Sequence, residues 1–167
     1  MDVKENMEDI QTILQKELVV YKKILFLLKK EKKAIASLSL EELIKLNKEK
    51  ENLLLEIKIL EESRNEVLDR IATKLNIAKE DLTLSKLVST LDFSQTKKLK
   101  ILQEELISIA SSIQTINNTN SLLLKESIQF VQNSISFLRS FISSELYLNT
   151  GKLVSCRGGG NILNSKV

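Results

Sequence analysis

The side chains that could do chemistry are few: one cysteine, Cys156, and no histidine. Histidine is the residue whose unperturbed pKa lies near neutrality. Without it, proton transfer would fall to carboxylates, and Cys156 lacks the imidazole that activates a thiolate. Adjacent carboxylates occur at Glu41-Glu42 and Glu61-Glu62. Neighbours on a helix point to different sides, which suits a solvated charged face better than an acid–base pair. Metal sites need His, Cys or clustered acids at ligand spacing, and no such grouping is present. Arg157-Gly158-Gly159-Gly160-Asn161 offers backbone N–H groups to a phosphate. It lacks the following Lys-Ser/Thr and the flanking strand and helix of a phosphate loop. Neither catalysis nor a cofactor is expected.

The polar residues that stand out are those interrupting apolar stripes. Lys50 and Arg64 fall at seam positions of a heptad pattern. Each either packs its stem and sends its charge to the edge, or selects the register by penalising misaligned pairings. Asn117, Asn120, Ser127 and Ser134 pose the same question further on. Buried amides need partners, so Asn120 is either a hydrogen-bonding group in a core or part of a stripe that faces another molecule.

These positions require long helices. The chain of 167 residues has no Pro and four Gly, and none of the four precedes Gly151. Few folds manage without these punctuating residues except long helices joined by short polar turns. Apolar residues at Leu14, Leu18, Tyr21, Leu25, Leu28 and Ile35 keep the three-four step of a coiled coil, widened by Ile10, Ile24 and Leu27. The spacing predicts a first helix over about 2–36. Ser39 and Glu42 read as a capping box after the break at Ser37-Leu38-Ser39. A second helix over 40–76 follows, its seam running from Leu43 through Lys50, Ile57 and Arg64 to Ile71. Residues 77–93 lose the period and read as a short helical connector. A third helix over 94–145 carries an unbroken alternation from Leu99 through Ile109, Asn120 and Phe130 to Phe141. The predicted fold is all-α: an antiparallel bundle of three long helices as one domain, 1–145, with a flexible tail over 146–167.

At 1.5 Å per residue the first two helices span about 50–55 Å and the third about 75–80 Å. A third helix that runs back along the second therefore outlasts it. Its last turns hold Phe130, Val131, Ile135, Phe137, Leu138, Phe141 and Ile142. Fully burying one such side chain is worth about 1.5–3 kcal/mol, so leaving all of them in water is costly. The two readings are packing within this chain and a binding surface. Two adjacent stripes, Phe130/Phe137/Phe141 and Ile128/Val131/Ile135/Leu138/Ile142, make a band wide enough to receive an amphipathic helix.

Charge narrows the partner. Each stretch up to residue 145 holds as many acids as bases, so the net charge of +3 comes from Lys152, Arg157 and Lys166. No basic face for nucleic acid is implied. Leu106–Leu124 lacks charge but carries too many Asn, Ser, Thr and Gln residues to enter a membrane. The acidic start, with Asp2, Glu5, Glu8 and Asp9, is unlike a signal peptide. A single unpaired cysteine suits a reducing compartment, so the cytoplasm is expected.

Over residues 5–151 the sequence resembles the FlgN-type flagellar export chaperones. The resemblance rests on Glu17-Leu18-Val19-Val20-Tyr21, the Ser-Leu break, and Lys48-Glu49-Lys50-Glu51-Asn52-Leu53-Leu54-Leu55-Glu56-Ile57. It continues through Glu61-Glu62-Ser63-Arg64 and Asn117-Asn118-Thr119-Asn120-Ser121-Leu122-Leu123 to Tyr147-Leu148-Asn149-Thr150-Gly151. It implies a chaperone that binds hook–filament junction proteins before export and takes up their helical C-terminal end on its own C-terminal part. The export apparatus is a further candidate partner. The expected cargo surface is Phe130, Val131, Phe137, Leu138, Phe141, Ile142 and Tyr147, with the free chain a monomer or homodimer. The competing expectation is a structural coiled coil that self-associates through its third helix. Cys156 and the Gly158–Gly160 triplet match nothing in the family pattern.

Overall fold

The computed structural model describes residues 3–75 and 93–145, with the side chains of 5–74 and 97–140. These residues form three helices, α1 (Val3–Ala36), α2 (Leu40–Leu75) and α3 (Phe93–Glu145). Apart from Phe93, the expected connector lies outside the described residues, and so does the expected tail.

Leu, Lys and Glu, strong helix formers, are abundant in α1 and α2, whereas α3 is richest in Ser, Ile and Leu. α1 and α2 also place charge to suit the helix dipole. Glu5, and then Glu41 with Glu42, occupy the first turns, while Lys33 and Lys74 occupy the last.

The α1–α2 turn is closed by the backbone. Ser39 N–H donates to Ala34 C=O and Leu38 N–H to Ile35 C=O, both at 3.0 Å. This is the doubly bonded Schellman ending, in which the residue after the cap takes a left-handed conformation. That residue is Leu38, at φ 52°, where glycine is usual. Ser39 then starts α2, its carbonyl accepting from Leu43 N–H at 3.1 Å. The expected capping box does not form among the described hydrogen bonds. Ser39 N–H, which the Glu42 carboxylate of a capping box would take, is already given to Ala34 C=O.

The chain divides into two compact units inside α3, at Ser127/Ile128. In the first, the three helices make an antiparallel bundle, α2 running opposite to both α1 and α3. One core joins Ile10, Leu14, Ile71 and Leu99, all fully buried, with Val67, Leu102 and Ile109. A middle core gathers Val20, Ile24, Leu28 and Ile57, with Ile113 and Ile116 of α3 packed against it. Near the turn, Leu27, Ala34 and Leu46 form a third. In the second unit, the described residues are the last eighteen of α3, Ile128 to Glu145.

Candidate functional site

The seam of α3 changes character along its length. Leu99, Leu102, Ile109 and Asn120 are buried, and Leu106, Ile113, Ile116, Leu123 and Ser127 are half-buried. The same three-four alternation then continues onto Phe130 and Phe137, each 64% exposed, with Ser134 half-buried between them. The second stripe, Ile128, Val131, Ile135 and Leu138, is also exposed. Six large apolar side chains thus face water within three turns, more than scattered surface residues account for. Phe141 and Ile142 continue both stripes on the helix, but their side chains lie outside the described ones, and Tyr147 lies outside the described residues altogether. Ser134 and Ser140 bond back to the carbonyls of Phe130 and Phe137, so their hydroxyls take little from the apolar band.

The polar seam residues lie within the first unit. Arg64 Nη1 donates to Glu17 Oε2 at 2.6 Å, and the Glu17 side chain is 0% exposed. Lys50 Nζ donates to Glu31 Oε1 at 2.6 Å. Asn120 Nδ2 donates to Leu28 C=O at 2.8 Å and to Glu31 Oε2 at 2.9 Å. Glu31 therefore ties α2 and α3 to α1. Both groups facing the Asn120 amide nitrogen are acceptors, which fixes its orientation and leaves its buried Oδ1 without a partner among the described residues. Asn117 does not join this layer and is exposed. Ile113, Ile116 and Asn120 take the inward positions of the alternation, which turns residue 117 about 100° away.

Sequence reasoning missed the anionic halves of these pairs. Glu17 and Glu31 stand two heptads apart, as do Lys50 and Arg64, and that matched spacing was a readable signal for an antiparallel pairing. Burial pushes the Glu17 carboxyl above the ordinary carboxylate value; Arg64 pulls it back and Glu61 adds to the rise. The Tyr21 hydroxyl donates to Glu61 Oε1 at 3.4 Å. Its pKa is raised by burial, then by the negative charges of Glu61 and Glu17. Asn6 is also buried, its amide unpartnered among the described residues.

Among the described residues no group of three or more His, Cys, Asp or Glu could hold a metal ion. Nor is any described helix long and apolar enough to cross a membrane. The arrangement offers an apolar helical face and an internally pinned bundle, which suit binding. A family model described as FlgN protein matches residues 1–155. Comparison with curated proteins found no match, and neither did comparison with solved structures.

Proposed function

The chain belongs to the FlgN protein family, a family of flagellar export chaperones, and from that premise we propose that it holds hook–filament junction proteins in the cytoplasm before their export. The cargo's helical C-terminal region lies along the late part of α3 and is kept from assembling early. The observation that carries this reading is the exposure of Phe130, Val131, Phe137 and Leu138 on one helix. A helix in water rarely shows such a band unless another molecule covers it, and an amphipathic cargo helix matches its two-stripe width. Phe141, Ile142 and Tyr147 extend the proposed surface.

The test is a titration of a hook–filament junction protein into the chain and into Phe130→Ser/Phe137→Ser. Truncated aromatic anchors can each cost about 2 kcal/mol or more of binding, so the double variant should lose most affinity while its helical circular dichroism and melting stay unchanged. Unchanged affinity would move the cargo site elsewhere. A chain whose molar mass in solution doubles through this face, with no cargo bound, would favour self-association instead.

A further inference from the structure

α2 carries a second apolar stripe, on the side away from its core residues. Leu40, Ile44, Leu55 and Ile59 are each between 61% and 69% exposed. Ile44 and Leu55 stand two residues before the buried Leu46 and Ile57, which turns them about 200° round the helix from the core. Lys48 and Glu51, also exposed, complete the stripe, whose steps run four, four, three, four and four. That is an 11-residue repeat, close to the period of a straight helix, so the six positions share one side of α2 for about 30 Å. Neither Lys48 nor Glu51 makes an ion pair among the described residues. Four large apolar side chains aligned in water, with an unpaired cation and anion between them, form a patch and not a scatter.

The order of the six residues points to the occupant. The stripe reads Leu-Ile-Lys-Glu-Leu-Ile, and its reverse places an apolar residue against each apolar one and a charge against its opposite. An antiparallel copy sets Leu40 against Ile59, Ile44 against Leu55 and Lys48 against Glu51, and a twofold axis between residues 49 and 50 repeats each pair. A parallel copy would instead set lysine on lysine and glutamate on glutamate. We propose that this face of α2 is an antiparallel homodimer interface, covered by α2 of a second copy of this chain. The contact is isologous and closes at two chains. A membrane is a poor occupant, because Lys48 and Glu51 would both be pressed into it at the middle of the stripe. Contact along one helix is small for a permanent complex, so the dimer is expected to dissociate at about 10–100 μM. The interface shares no residue with the late part of α3.

The experiment is sedimentation equilibrium of the full chain without cargo, from about 1 to about 500 μM, a range that brackets the expected dissociation constant. The mean molar mass should rise from that of one chain to that of two. Ile44→Ser/Leu55→Ser should weaken dimerisation by about tenfold or more, with an unchanged melt when dilute, because both side chains face water in the single chain. Lys48→Glu should weaken it by about tenfold, since it sets two glutamate pairs face to face. Lys48→Glu/Glu51→Lys should restore it, because opposite charges meet again across the twofold axis. A monomer throughout the range, a dimer that survives Ile44→Ser/Leu55→Ser, or a single reversal without effect, as parallel pairing requires, would each overturn the proposal. Phe130→Ser/Phe137→Ser should dimerise as the natural chain does; loss of the dimer in that variant would move the second copy to α3 and overturn it too. The cargo reading stands or falls separately, on the titration of the junction protein.

Discussion

Arg64 on α2 reaches across to a fully buried carboxylate, Glu17 on α1, at 2.6 Å, and two heptads nearer the turn Lys50 meets Glu31 at the same distance. Both pairs obey one antiparallel register, so a slip of α2 along α1 would break both together. Buried ion pairs seldom add net stability against an apolar replacement, because desolvation offsets the attraction. Removing one partner, however, strands a buried charge. Arg64→Met should therefore cost about 3–5 kcal/mol in urea unfolding, and Glu17→Met combined with Arg64→Met should recover most of that loss. Equal stability of the single and double variants would show that the pair is not coupled.

The pH dependence follows from the same carboxyl. The folded pKa of Glu17 is raised above its ordinary 4.5, by burial first. Between the unfolded and folded values the folded state binds the proton more tightly. The stability associated with this group is present below about 4.5 and is lost as pH rises through the raised value. Glu17→Gln has no such window. The free energy of unfolding of the natural chain should therefore fall relative to that variant on going from about pH 4 to pH 7. Parallel stability curves across this range would mean that the carboxyl does not titrate in the folded bundle as burial requires.

Asn120 fixes α3 to α1. Its amide nitrogen serves two acceptors, Leu28 C=O and Glu31 Oε2. Asn120→Asp replaces that donor with a charge facing a carbonyl and a carboxylate. A loss of about 3 kcal/mol or more is expected in denaturant unfolding. Asn120→Leu keeps the branched shape and removes the orphaned Oδ1, so it should cost less. If aspartate proved as stable as asparagine, the amide would not hold this bond in solution.

The bundle was legible because nothing interrupts it. With no glycine or proline before residue 151, the heptad stripes had only one geometry to adopt. Buried residues such as Leu14, Ile57 and Ile109 fall on the seams that the spacing predicts. The capping box was misread because the backbone closed the turn by itself. Glu17 was missed because a glutamate beside a seam reads as surface until its cation is placed opposite. Asn117 and Asn120 look alike in sequence, and only their angular position separates an exposed amide from one that bonds α3 to α1.

Leu38 pays a conformational cost at the turn. Its φ of 52° crowds a Cβ that glycine lacks, a strain of about 1–2 kcal/mol. The side chain is largely exposed, so little packing is lost on truncation. Part of the gain is cancelled by the greater freedom of glycine in the unfolded chain. Leu38→Gly should raise stability by about 0.5–1 kcal/mol, read as a higher denaturation midpoint with the slope unchanged. A lower midpoint would show that Leu38 packs in solution.

The change along α3 makes the sharpest comparison. Ile109 and Phe130 occupy the same seam alternation, yet Ile109 is buried among residues of all three helices and Phe130 is mostly exposed. Ile109→Ala removes buried methyl groups and leaves a cavity, so it should cost about 2–4 kcal/mol. Phe130→Ala removes a larger side chain, but one that is already in water. Its effect should stay within about 0.5 kcal/mol. Both are measured by urea unfolding of the free chain at several concentrations. A large loss at Phe130 that grows as the chain is concentrated would mean that another copy covers this face. A large loss independent of concentration would mean that the phenylalanine packs within its own chain. Only a small loss at Phe130, beside a large one at Ile109, leaves the late part of α3 open for cargo.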